Sequence, residues 1–202
     1  MEVKRSLIIV DFDKTIYRKD SLIEFCKFIY NKYPYRLLFI FPQIFYTILW
    51  YSGMISTRIY KDKFLLFLYG IDREKCLELL SIFWQKEQQN LNHKLLEEIR
   101  EKNIPVVCIS ASPDIFIQPV MHLIPHLDKL IGTKLTYNKR YTIKGENCKG
   151  EEKVIMLYKA YPIERIEIIE AYSDSMTDLP ILRLAKHAFL IRNGTITPFK
   201  EA

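Results

Sequence analysis

The chain lacks most of the devices by which a sequence declares its partner. It has no zinc-finger spacing, no glycine pattern of the nucleotide-binding kind and no long basic tail, so its net charge of +6 does not read as nucleic-acid binding. Its four cysteines, Cys26, Cys76, Cys108 and Cys148, are widely spaced, with no Cys-x-x-Cys pair and no neighbouring histidine cluster. That argues against zinc and suits reduced thiols. His93, His122, His126 and His187 are scattered, and none is assigned a catalytic part. There is no internal repeat or low-complexity linker. Behind the basic start Met-Glu-Val-Lys-Arg the apolar run reaches Asp11 too soon for a signal peptide, which points to a cytoplasmic active face. At 202 residues, 49% hydrophobic and 27% charged, the chain can form one packed domain, or a domain with a sizeable insertion.

What is present is organised around Ile8-Ile9-Val10-Asp11-Phe12-Asp13-Lys14-Thr15. An apolar run ending in carboxylates on alternate residues reads as a buried strand that delivers acids to its exit. In extended chain Asp11 and Asp13 point to the same side. Carboxylates that close repel unless a cation or a shared proton intervenes, and hard oxygen ligands suit Mg²⁺.

Beyond Thr15, Ser21 followed by Glu24 has the form of a capping box, and Leu22, Phe25, Phe28 and Ile29 keep helical spacing until Pro34. From Leu37 to Thr57 there is no charged residue, whereas Lys32 and Arg36 precede the run and Arg58, Lys61 and Lys63 follow it. Three readings fit: a membrane span, an interfacial helix or hairpin facing anionic lipid, and an ordinary buried helix. Pro42 and Gln43 interrupt the run and weaken the first reading. Apolar residues from Phe64 to Tyr69, with Leu77, Leu80 and Phe83, complete a small helical bundle over about residues 20–88.

An amphipathic helix around Leu91, Leu95, Leu96 and Ile99, closed by Lys102-Asn103, leads into a second buried strand, Val106 to Ile109. Apolar runs at Ile166 to Ala171 and Ala188 to Ile191 continue a strand-helix alternation, which predicts an α/β fold with a parallel sheet covered on both faces. Leu130 to Thr133 reads as a strand. Leu135 to Ile143 reads as a hairpin turning at Asn138-Lys139-Arg140.

Ligands of such sheets bind at the carboxyl ends of the strands, and each predicted strand ends in a group able to handle phosphate. The second closes on Ser110-Ala111-Ser112, followed by a helix after Pro113. The strand from Ile166 exits into Tyr172-Ser173-Asp174-Ser175-Met176-Thr177-Asp178, where Asp174 can complete a metal site with Asp11 and Asp178 can cap the helix through Leu182. Lys153 opens a further helix and offers a cation.

Taken in this order, Asp11-x-Asp13-x-Thr15, Ser110, Lys153 and Asp174 with Asp178 resemble the haloacid-dehalogenase superfamily of phosphohydrolases. The resemblance spans essentially the whole chain. It implies a Rossmann-like, doubly wound parallel sheet built from residues 1–17 and 89–202, with residues 18–88 inserted as a helical cap of the first type. It implies a phosphomonoester hydrolase with Asp11 as nucleophile, forming an aspartyl-phosphate, and Asp13 as general acid and then base. It further implies Mg²⁺ held by Asp11, the backbone carbonyl of Asp13 and Asp174, with Asp178 supporting that shell. Ser110, Ala111, Thr15 and Lys153 would contact the phosphoryl group. Lys14 and Ser173 depart from the pattern by standing where glycine is common, and both are expected to affect backbone freedom only.

Within the superfamily, Ser110-Ala111-Ser112-Pro113 and Tyr172-Ser173-Asp174 resemble the phosphoserine-phosphatase-like branch. The uncharged cap run resembles the phosphatidylglycerophosphatase C group, which implies a lipid phosphate as substrate and contact between residues 37–57 and the cytoplasmic face of an anionic membrane. The alternative is a soluble phosphatase for phosphoserine or a phosphorylated amino alcohol, with Asp20 meeting the ammonium group; otherwise Asp20 is a solvated acid beside the helix start. A non-catalytic phosphate-binding or membrane-scaffold protein is a third reading, against which the complete acid set argues. The physiological substrate and the oligomeric state stay open.

Overall fold

A computed structural model describes residues 4–199. Strand β1 (Arg5–Val10) puts Leu7 and Ile9 on one side and Ile8 and Val10 on the other, all fully or almost fully buried. A strand apolar on both sides needs cover on both, and it receives it. Leu7 and Ile9 pack with Leu157 of α7 (Glu151–Ala160), with Tyr161 just after that helix, and with Ile181 and Leu182 of α8 (Leu179–Leu182). Ile8 and Val10 pack against the helical insertion and α5 (His93–Lys102).

The remaining strands of the described residues are β2 (Val106–Pro113), β3 (Leu127–Asn138), β4 (Arg140–Lys144), β5 (Ile166–Ser173), β6 (His187–Arg192) and β7 (Thr195–Pro198). They form one seven-stranded sheet in the order β4-β3-β2-β1-β5-β6-β7. The pairs from β3 across to β6 are parallel, whereas β4 and β7 run antiparallel at the two edges. The α/β expectation holds, with the order reversing on either side of β1, where such sheets open a crevice.

Two strand readings need correction. Leu127–Asn138 is one strand, not a strand followed by a separate hairpin: its first half pairs parallel with β2 and its second half pairs antiparallel with β4. The turn does fall at Asn138-Lys139-Arg140, with Lys139 at φ +58°. The edge strand β7 was not read at all, although Asn193-Gly194, at φ +52° and +78°, is the residue pair that a tight hairpin demands.

Between β1 and β2 lie α1 (Ser21–Lys32), α2 (Ile40–Tyr51), α3 (Thr57–Phe64) and α4 (Arg73–Glu87), with short 3₁₀ turns between them. They have no core of their own. Phe25, Phe67, Phe83 and Trp84 belong to the same buried cluster as Ile8, Val10 and Cys108 of the sheet and Phe116 of α6 (Asp114–Ile117). The Trp84 indole donates to the Phe116 carbonyl at 2.6 Å. The hairpin at the sheet edge is tied to the insertion as well: Asp62 accepts the Ile143 N–H at 2.6 Å, and the Tyr141 hydroxyl donates to the Asp72 carbonyl at 3.1 Å.

Three local expectations in the insertion change. The cap of α1 is Asp20, whose carboxylate accepts the Ile23 N–H at 3.0 Å, rather than the Ser21 and Glu24 box. Ser21 is fully buried, and its hydroxyl turns to Ser112. Arg36 is no surface cation; it is buried and donates to the carbonyls of Phe67 and Tyr69. Pro42 does not break the run, because it sits in the first turn of α2, where a missing N–H is tolerated. No helix of the described residues is long and apolar enough to cross a membrane, which removes the span reading.

Candidate active site

Asp11 leaves β1 with its N–H bonded to the Tyr172 carbonyl at 2.9 Å, so the first carboxylate is fixed at the exits of β1 and β5. Phe12 then turns into the core, and Lys14 adopts a left-handed conformation at φ +57°. That angle explains the preference for glycine at this point, since a side chain there costs energy. Lys14 has an electrostatic consequence too: its cation opposes the effect of burial on Asp174, whose carboxyl stands above its usual range.

A cavity of about 240 Å³ opens here, and Asp11, Asp13, Asp20, Ser110, Ala111 and Lys153 all line it, as do Asp174 and Asp178. Of the residues expected at the site, only Thr15 does not join them. It is fully buried beneath the turn, and its hydroxyl has no hydrogen-bond partner.

Lys153 is the centre of the arrangement. Gly150, at φ +60°, turns the chain into α7, and Lys153 comes off the first turn of that helix pointing inward. Its ammonium, 2% exposed as a residue, donates to Asp11 Oδ1 at 2.7 Å and to Asp178 Oδ2 at 2.6 Å. The two carboxylates raise the affinity of Lys153 for its proton above the ordinary value, outweighing burial. Burial acts the other way on the acid: it pushes Asp11 up to about 7 even though Lys153 pulls it down. Asp178 is a partner of this ammonium and not the helix cap expected for it, since no side-chain cap bond is made at the start of α8. The Ser173 hydroxyl also donates to Asp178, at 2.7 Å. Ser173 therefore acts on a site carboxylate, beyond the backbone role expected of it.

Asp13 is held by two donors. The Ser21 N–H reaches Oδ1 at 2.7 Å, and the Ser112 hydroxyl is bonded to Oδ2. Burial still dominates and pushes Asp13 up to about 6. Ser110 is buried on the same wall, its oxygen accepting the Ser112 N–H at 3.1 Å.

Two contributors were not assigned from the sequence. Ser112 was legible in principle, because alternate residues at a strand exit share a side with Ser110. Lys61 was not. It comes from α3, and its ammonium donates to the Ala111 carbonyl at 2.8 Å and to Asn147 at 2.7 Å, joining the insertion to the site wall. Burial lowers its affinity for a proton, to about 8. Above it, Trp50 and Tyr60 stack with centroids 4.8 Å apart on the cavity wall.

An acid whose hold on its proton is raised by burial, a carboxylate held by an ammonium, and hydroxyls around one cavity can attack an anionic ester, bind its oxygens and protonate a leaving group. Among protein families, the model of the haloacid dehalogenase-like hydrolases matches residues 8–183. No curated protein matches. Among solved structures, a protein of unknown function from Bordetella pertussis Tohama I is similar at 17% identity and a TM-score of 0.78, covering 92% of this chain and 89% of that one. A phosphoserine phosphohydrolase-like protein from Francisella tularensis subsp. tularensis SCHU S4 is similar at 22% identity and 0.61, covering 92% and 86%. A substrate-bound phosphoserine phosphatase is similar at 19% and 0.61, covering 93% and 86%. At such identities the likeness establishes a common fold.

Proposed function

The chain belongs to the haloacid dehalogenase-like hydrolases, and from that premise we propose that it is a Mg²⁺-dependent phosphomonoester hydrolase working through an aspartyl-phosphate on Asp11. The observation that carries the reading is the buried ammonium of Lys153 bonded to both Asp11 and Asp178 at the base of a cavity. A carboxylate is a weak nucleophile towards an anionic ester unless charge at the site is neutralised and the geometry is fixed.

Asp11 attacks phosphorus, and the bond from phosphorus to the alcohol oxygen breaks. Asp13 gives its proton to that oxygen. An acid held up near 6 keeps a protonated fraction close to neutral pH, as a general acid requires. Asp13, now ionised, takes a proton from water, which attacks the phosphorus and releases phosphate and Asp11. Ser110 and Lys153 hold the phosphoryl oxygens throughout.

The residues fit Mg²⁺. Among the described residues no three His, Cys, Asp or Glu side chains converge; Asp11, Asp13 and Asp174 line one cavity, and the Asp11 and Asp174 carboxylates with the Asp13 carbonyl would hold the ion. That number of carboxylates is what Mg²⁺ accepts alongside water and phosphate. Asp11, left at about 7 by burial despite Lys153, also lacks the second positive charge that would keep it ionised. When bound, Mg²⁺ supplies that charge and shields the phosphoryl oxygens.

For the substrate, the stacked Trp50 and Tyr60 on the wall support an ester whose alcohol brings apolar atoms, such as a lipid phosphate of the phosphatidylglycerophosphate kind. A second reading, an ester carrying an amine, is favoured by Asp20, which lines the cavity while capping α1. The test is phosphate release from a chromogenic ester, phosphoserine and detergent-dispersed phosphatidylglycerophosphate, with Mg²⁺ and with EDTA. Turnover should need Mg²⁺ and disappear in Asp11→Asn. Loss confined to aminated esters in Asp20→Asn selects the second reading. No metal-dependent hydrolysis across the panel leaves a phosphate-binding protein.

A further inference from the structure

Helix α2 is built inside out. In a helix packed on a protein the apolar stripe faces the core, yet the one buried residue of α2 is the polar Gln43. Its amide donates to the Phe64 carbonyl at 2.7 Å and to Cys26 Sγ at 3.6 Å, and accepts from the Tyr30 hydroxyl at 2.7 Å. Gln43 thus fixes which face of the helix turns outward. On that outer face Phe41, Ile44, Phe45, Ile48 and Tyr51 follow one another at helical spacing and are between 54% and 80% exposed. Leu38 before the helix and Met54 after it extend the patch, at 57% and 72% exposed. A contiguous apolar surface of this kind marks an interaction site.

We propose that this face docks on an anionic lipid surface, with α2 lying along the interface. Twelve residues of helix extend only about 18 Å, well short of the roughly 30 Å of a hydrocarbon core, so the helix lies on the membrane. The charges select lipid over the other occupants. No carboxylate occurs in the chain between Glu24 and Asp62, while Lys32 stands exposed on the element before and Arg58 on the element after, the latter in a loose pair with Glu146 at 3.9 Å. Lys63 lies over the Tyr46 ring at 5.1 Å. Cations beside an apolar helix suit anionic headgroups, and a second copy would set these cations against their like. Position adds a further argument. From the same two helices Trp50, Tyr60 and Lys61 line the catalytic cavity, so docking brings its mouth to headgroup depth. The docking surface does not rest on the hydrolase reading, since binding is measured without turnover.

The test is flotation of the full-length protein with vesicles of phosphatidylcholine, alone and mixed with phosphatidylglycerol. The protein should float with the mixed vesicles and less with phosphatidylcholine alone. The double variant Phe45→Asp/Ile48→Asp should weaken binding by at least about tenfold and leave hydrolysis of the soluble chromogenic ester unchanged. Phe41→Ser/Tyr51→Ser, a milder change on the same face, should weaken it too. The proposal is overturned if the protein ignores both vesicle types, or if both variants bind as the parent does. A concentration-dependent dimer that these variants abolish, without vesicle binding, would assign the face to a second copy instead.

Discussion

Replacing Lys153 with methionine separates the two things its ammonium does. The side chain keeps its length and loses its charge, leaving the Asp11 and Asp178 carboxylates facing each other in a site where Lys153 itself is 2% exposed. Removing one partner of a buried pair costs about 3–5 kcal/mol, because the remaining charge is stranded out of water. A stranded carboxylate can escape by taking a proton, at about 1.36 kcal/mol for each pH unit by which its pKa exceeds the ambient pH. The penalty must therefore depend on pH. Asp11 already stands at about 7, so it is neutral in the folded protein near pH 5 and charged near pH 8. Urea unfolding in EDTA should show a loss near 3–5 kcal/mol at about pH 8 and a smaller one at about pH 5, where Asp11 is already neutral and Asp178 alone is left without its ammonium. Hydrolysis with Mg²⁺ should fall by about 10²–10³ at either pH, since the phosphoryl oxygens lose a fixed cation. In Lys153→Met/Asp178→Asn one stranded charge is gone, and about 1–3 kcal/mol of stability should return without any turnover. An equal stability loss at both pH values, or normal turnover in the single variant, would refute this account.

Three further outcomes follow from the same geometry. Burial raises Asp11 to about 7 and Asp13 to about 6, so the folded state binds more protons than the unfolded state between about pH 4 and 7. The urea midpoint of the metal-free protein should fall as pH rises through that window, and Mg²⁺ should flatten the fall by favouring the ionised carboxylates. Ser112→Ala removes a hydroxyl that favours ionised Asp13. The limb of the kcat profile that reports Asp13 should move to higher pH, with kcat down about tenfold, whereas Ser112→Thr should stay near the parent. Lys14→Gly relieves a left-handed side chain and should raise stability by about 1 kcal/mol on a urea titration; with the cation beside Asp174 gone, that carboxyl should titrate higher by NMR.

How much of this could be read from the chain depends on whether a residue announces itself locally. Asp11, Asp13, Ser110 and Asp174 stand at the ends of apolar runs, where the periodicity of a strand fixes both position and side, and the structure gathers them on one cavity. Lys153 and Asp178 were found with them, but the bond between them was not, because it joins residues 25 apart through a fold. Lys61 was legible only as a cation flanking the uncharged run, one of two lysines on α3, until that helix is laid against the Ala111 carbonyl. Arg36 misled for the same reason: nothing near it in the chain says that the carbonyls of Phe67 and Tyr69 need a donor. The uncharged run was visible at once, but which side of it faces out is decided by Gln43, and that took the whole packing to see.

The seams between the helical insertion and the sheet edge bear on how guests come and go. A hinged lid works by lifting away as a unit, yet here Asp62 is fastened to Ile143, Tyr141 to Asp72, and Lys61 to the Ala111 and Asn147 wall, while the aromatic cluster below is shared between the insertion and the sheet side. Lifting the insertion as a unit would break these four bonds together and lay that shared cluster open to water.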